Sequence, residues 1–216
     1  MGFLDAILGA SFRKNRRLWS ARRAARVTPE DAKVGASVRI IGRALPAANL
    51  LRAPFTASTA ILWATRADER RLVDVQDMYG NETGAERRWM HELDDRSREP
   101  FFVAGETGVR VRVELDHAEV VVPCPDVTSA PRFQSADVDP ELDAYLRRNG
   151  YAPNGFMGID GDHRFFEARV GPGDWVSAYG RLEESALVTS DGYRDAPARI
   201  LRVVGTELEP VIILPA

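Results

Sequence analysis

The chain has 216 residues, 44% apolar and 28% charged, with a net charge of −3. That balance belongs to a folded globular protein and excludes a disordered or low-complexity one. Its one cysteine, Cys124, excludes an intrachain disulfide and a Cys-rich zinc module. No run of about 18 apolar residues exists to form a transmembrane helix.

Charge is unevenly spread. Residues 1–26 hold seven basic groups, Arg13, Lys14, Arg16, Arg17, Arg22, Arg23 and Arg26, against the single acid Asp5, so the remainder is acidic, near −9. Phe3, Leu4, Ile7, Leu8, Phe12, Leu18 and Trp19 fall on one half of a helical wheel, with Arg13, Arg16 and Arg17 mostly opposite. This predicts an amphipathic basic helix over 1–28, ended by Pro29. Apolar residues precede the basic ones, the reverse of a signal peptide. The Met1-Gly2 start lacks the Ser or Thr that myristoylation needs, because Ala6 holds that place. The expected location is the cytoplasm or the cytoplasmic face of a membrane.

From Lys33 the period becomes two, and 33–216 reads as one domain. "ASVRIIGRAL" is a strand, and "LLRAPFTAS" a loop turning on Pro54. "TAILWATRADE" and "RLVDVQDMYG" read as a hairpin with its turn at the charged run Asp68-Glu69-Arg70-Arg71. "GNETGAERRWMHELDDRSREP" is polar and aperiodic, hence a loop or short helix. In "PFFVAGETGVRVRVELDHAEVVV", Val109, Val111, Val113 and Leu115 alternate with charged residues, as in a half-buried strand. "DPELDAYLRRNGY" has Asp139 as N-cap, Pro140 at the first helical position and Gly150 after the last turn. It predicts a helix near 140–149 burying Leu142, Tyr145 and Leu146. "RFFEARVGPGDWVSAYGRL", Arg164–Leu182, reads as two strands joined by a Gly-Pro-Gly-Asp turn, and "ARILRVVG" and "PVIIL" as two more strands. Many short strands, Gly turns and one inserted helix predict a mainly β (α+β) fold: a small OB-like β-barrel with an N-terminal helix.

Three ordered blocks resemble the GIDE-type domain, which occurs in mitochondrial membrane-anchored RING ubiquitin ligases and in many bacterial proteins. In Val38–Glu69 the matching residues are Leu51, Ala53, Pro54, Phe55 and Thr56. In the second block they are Pro100, Phe101, Thr107, Gly108, Val111, Val113 and Ala118, with Gly105 where the pattern has an acid. In the third they are Glu167, Val170, Gly173, Asp174, Val176 and Gly180. The blocks span roughly residues 36–204. The resemblance implies a noncatalytic, partner-binding module in a membrane-proximal setting. The ligases also carry a RING with eight Cys/His zinc ligands. Cys124, His91, His117 and His163 are the whole stock here, so ligase activity does not carry over.

No nucleophile elbow, phosphate loop or dinucleotide fingerprint appears. Asp160, Asp162 and His163, with Glu167, form the one cluster worth considering for metal or acid–base chemistry, and a polar turn entering a strand explains it more simply. Asp116 and His117 neighbour each other on a strand and so point apart. Cys124, between two prolines, reads as a turn or core residue. No metal, cofactor or catalytic residue is expected. The candidate contacts with an anionic membrane or a protein partner are Phe3, Leu4, Ile7, Leu8, Phe12, Arg13, Lys14, Arg16, Arg17 and Trp19. Pro54, Pro100, Thr107, Gly108, Glu167, Gly173, Asp174 and Gly180 are expected to be framework residues. Single-stranded nucleic acid is an alternative ligand, since OB-like barrels often bind it. The acidic body, with Trp63, Trp89 and Trp175 scattered among it, counts against that reading.

Overall fold

A computed structural model of the chain describes residues 15–76, 82–130, 133, 139–151, 163–186 and 199–216. Phe3, Leu4, Ile7, Leu8, Phe12, Arg13, Lys14, Asp160 and Asp162 lie outside the described residues. In chain order the elements are helix α1 (15–23), β1 (Arg26–Val27), a 3-10 turn (Pro29–Asp31), β2 (Ser37–Pro46), β3 (Leu51–Arg52), β4 (Thr59–Ala60), β5 (Leu62–Gln76) and β6 (Glu82–Arg96). Next come β7 (Phe101–Ala104), β8 (Arg110–Val113), β9 (Ala118–Val120), α2 (Pro140–Arg148), β10 (His163–Val170), β11 (Trp175–Ala186), β12 (Arg199–Val204) and β13 (Val211–Pro215). The span 33–216, taken above as one domain, is shared between two compact units. One comprises residues 1–49, 98–122 and 170–216, the other 50–97 and 123–169.

The first unit is a closed five-stranded barrel. β2 pairs antiparallel with β7, β7 with β8, β8 runs parallel to β12, β12 is antiparallel to β11, and β11 returns to β2. Numbered in chain order, the five strands lie 1-2-3-5-4 around the ring, with the third and fifth parallel. This is the Greek-key connectivity of an OB barrel, and closure leaves the ring without an edge. β13 and β9 extend the sheet from β11. Inward positions carry Ile40, Ala44, Phe101, Val103, Val111, Val113, Val176, Ala178, Leu182 and Val203, all buried. Arg110 and Arg112 point outward between Val111 and Val113, as period-two alternation requires. Val109 is 40% exposed and precedes the strand, so the buried alternation starts one valine later than the sequence predicts.

Gly180 is a packing requirement. A Cβ there would lie 2.6 Å from Cγ1 of Val203 on β12. The Gly-Pro-Gly-Asp turn forms as expected. Gly173 has φ +82, a conformation only glycine adopts freely. Gly171 N–H donates to Oδ2 of Asp174 at 2.7 Å, and the turn exchanges two backbone bonds with Ala44 of β2. The strands on either side of the turn do not pair as a hairpin. β11 belongs to the barrel and β10 to the sheet of the second unit.

The second unit is a three-stranded sheet, ordered β10-β5-β6, with an aromatic cluster of Phe55, Phe133, Tyr145, Tyr151 and Phe165 on one face. α2 begins where the sequence predicts. Oδ1 of Asp139 accepts from the N–H groups of Glu141 and Leu142 at 3.0 and 3.3 Å, a cap worth about 1 kcal/mol. Leu142, Tyr145 and Leu146 are its buried stripe. The hairpin differs from expectation. β5 runs unbroken through Asp68–Arg71 and pairs with β6, the segment read above as a loop or short helix. The charges do not break the strand because they neutralise one another along it. Arg66 pairs with Asp68, and Arg71 with Glu69 and Glu92. β6 shows no alternation because residues 84–91 have no buried face.

Candidate functional site

The predicted basic arm is helical over 15–23 and ends sooner than expected. Arg26 and Val27 pair in parallel with Arg39 and Ile40 of β2 instead of extending the helix. α1 lies on the barrel unit. Ala21 is fully buried with Ile212 and Leu214 of β13, and Leu18, Val121 and Tyr179 pack around them. The helix is tied down by a residue that periodicity did not mark. Arg39, 6% exposed on β2, donates from Nε to Oγ of Ser177 at 3.0 Å and from its terminal nitrogens to the carbonyls of Arg22 and Pro215, each at 3.3 Å. A guanidinium at the carbonyl end of a helix satisfies an orphan acceptor and opposes the helix dipole. Burial, followed by the neighbouring Arg26, lowers the Arg39 pKa. Arg39 alternates with the core-facing Ile40, so it stands on the outer face of β2, beneath the helix.

With Leu18 and Ala21 turned inward, the outer face of α1 carries Trp19, 58% exposed, with Cζ of Arg23 stacked 4.4 Å from its ring. Arg16 and Arg17 line an open cavity of about 480 Å³ between the helix and the barrel, together with Ser20, Tyr179, Arg181 and Glu209.

Residues from two separate motifs meet at Glu167 and Thr56. Glu167 of β10 is 3% exposed and accepts from the N–H groups of Phe55 at 2.7 Å and Thr56 at 3.3 Å, and from the Thr56 hydroxyl. It clasps the Ala53–Ser58 turn, where Ala57 has φ +57, and so seats Phe55 edge-on against Phe133, Tyr145 and Phe165. In the barrel unit, Thr107 donates from N–H and hydroxyl to Oε1 of Glu30 at 3.1 and 2.7 Å. A Cβ on Gly105 would lie 2.1 Å from that same oxygen. The carboxylate beside this turn therefore comes from Glu30, and a glycine at 105 makes room for it. The Thr107 hydroxyl bond, with the backbone bonds beside it, lowers the Glu30 pKa to about 2. Gly108, at φ +88, completes the turn. Pro54 follows the short β3, and Pro100 directly precedes β7.

Among the described residues, no group of three His, Cys, Asp or Glu side chains is placed to hold a metal. His163 is bonded to the Tyr151 hydroxyl at 2.6 Å. Asp68, 4% exposed, accepts two bonds from Arg66 at 2.7 and 2.6 Å and contacts Nδ1 of His91 at 3.1 Å. Burial acts to raise its pKa, but the Arg66 and His91 bonds outweigh it and the net shift is downward. Cys124 is exposed as a residue, yet desolvation raises its thiol pKa, against the pull of Arg66. Raised pKa values suppress thiolate reactivity. Arginines remote in sequence sit over two of the scattered tryptophans, Arg164 over Trp89 at 4.1 Å and Arg43 over Trp175 at 5.4 Å. No helix among the described residues is long and apolar enough to cross a membrane.

No protein-family model matches the chain, and searches of curated proteins and of solved structures find no similar protein.

Proposed function

We propose that this chain is a noncatalytic, GIDE-like interaction module, built on an OB-type barrel and brought to an anionic membrane on its cytoplasmic face by its N-terminal helix. The observation that carries the proposal is the division of α1. Its inner residues Leu18 and Ala21 are satisfied by the barrel, while Trp19 and Arg23 form an exposed, stacked pair. Tryptophan with arginine suits the headgroup level of a bilayer, and each basic group near an anionic surface contributes about 1 kcal/mol. The pairing of two motif residues, Glu167 with Thr56, and the bond of the motif residue Thr107 to Glu30 support the framework role that the GIDE-type resemblance gives those turns.

Cutting away α1 would uncover Ile212 and Leu214 and strip Arg39 of the Arg22 carbonyl, so the test uses the full chain. Wild type should sediment with phosphatidylglycerol-containing vesicles at low salt. The double variant Trp19→Ser/Arg23→Gln should stay in solution with its melting temperature unchanged. Equal sedimentation of both proteins would refute a membrane-facing α1.

A second reading has one observation in its favour. On the sheet face opposite the aromatic cluster, Arg164 covers Trp89 and Arg66 covers Phe166. Arginine–aromatic platforms suit stacked bases of single-stranded nucleic acid. A gel shift with single-stranded oligonucleotides that weakens with salt and is lost in Trp89→Ala would favour that reading.

A further inference from the structure

We infer that the cavity beside α1 is a binding site for a phosphate group carried on a small molecule or a lipid headgroup. The inference rests on the proposed membrane role only for the choice between those two sources. The volume, about 480 Å³, falls within the range of small-ligand sites, roughly 300–1,000 Å³. Three guanidinium groups, Arg16 and Arg17 from the helix and Arg181 from β11, share the lining with the hydroxyl groups of Ser20, Ser37, Tyr179 and Thr206. Guanidinium forks with hydroxyl donors are the chemistry that recognises phosphate oxygens.

The acids in the lining leave that charge available. Glu183 lies 3.9 Å from Arg181 but also binds Arg202, which stands outside the lining, at 3.4 Å. Arg16 and Arg17 have no ion-pair partner among the described residues, and the remaining lining acid is Glu209. Gly180 and Gly205 line the cavity as well. At both, a Cβ would collide with the barrel, at 2.6 Å from Val203 and 2.4 Å from Val211, so bare backbone is held at the cavity wall.

The test titrates the full chain with sn-glycerol 3-phosphate and with inorganic phosphate by calorimetry at low ionic strength. Wild type should show saturable binding of glycerol phosphate. The double variant Arg17→Gln/Arg181→Gln should bind at least about tenfold more weakly, the effect of losing charge-assisted bonds. Arg110→Gln, which removes one charge at an exposed position of β8 away from the cavity, should bind like wild type. Thermal melts confirm that all three proteins are folded. Absence of saturable binding, or equal weakening by Arg110→Gln, would overturn the site.

Competition separates the two sources. If glycerol phosphate releases the protein from phosphatidylglycerol vesicles, the ligand is a headgroup. If it binds without changing sedimentation, the ligand is a soluble phosphate compound. Either result supports the cavity. Sedimentation without phosphate binding would leave the membrane role standing and remove this site. Phosphate binding without sedimentation would do the reverse.

Discussion

The barrel and the outer half of the β5–β6 hairpin are both built of paired β-strands, yet they are held by different physics. Each barrel strand has one face in the core, so Val111 and Val113 are fully buried while Arg110 and Arg112 stay outside. The hairpin beyond Glu69 has no buried residue among those described, and Leu72 is 67% exposed. What remains to hold it is the backbone ladder, short charge pairs, Arg71 with Glu69 and Arg88 with Glu86, and Arg164 over Trp89. Burial and closure fix the first, whereas a two-stranded ribbon in water is marginal by itself. Substitutions should therefore cost much in the packed regions and little on the ribbon.

The largest effect is expected within the second unit. Glu167→Ala removes a buried carboxylate and leaves the N–H groups of Phe55 and Thr56 without acceptors. It should lower unfolding free energy by about 3 kcal/mol, measured by urea titration. Arg39→Ala comes next, at about 2 kcal/mol, because the Arg22 and Pro215 carbonyls lose their donor. Gly173→Ala forces alanine to a φ of +82 and should cost about 1 kcal/mol. Arg71→Ala on the ribbon should leave the urea midpoint nearly unchanged, since exposed pairs contribute little. A ribbon variant as costly as a core one would break the contrast.

The smallest effect is visible only through pH. The Glu30 carboxyl has a folded pKa near 2, below its ordinary value of 4.5. The unfolded chain therefore takes up the proton first as pH falls, and stability contributed by ionised Glu30 is full above 4.5 and lost as pH falls toward 2. The stability difference between wild type and Glu30→Gln should shrink across that window. A difference independent of pH between 6 and about 2 would show that the Thr107 bonds do not favour the carboxylate.

The same contrast explains what could be read from the chain. Barrel strands, α2 and the Gly-Pro-Gly-Asp turn were legible because burial on one face writes a period into the sequence and caps write local punctuation. Residues 84–91 carried no such period, since they have no buried face, and their pairing with β5 was hidden. The charged run Asp68–Arg71 imitated a turn because its pairing partners lie two residues away on the same face or across the strand. Of the candidate site, the arginines and Trp19 of the arm were visible as an amphipathic pattern. Arg39 was not, because a buried cation satisfied by a hydroxyl and two distant carbonyls leaves no local signature. Nor was the role of Glu30 at the Gly105–Gly108 turn, which joins residues 77 positions apart.

The most direct test of a membrane-facing α1 is sedimentation of the wild-type chain with neutral and phosphatidylglycerol-containing vesicles over a salt series. Binding confined to the anionic vesicles, and falling steeply as salt screens the arginines, is the predicted result. Equal binding to both lipids, or none at low salt, would contradict it.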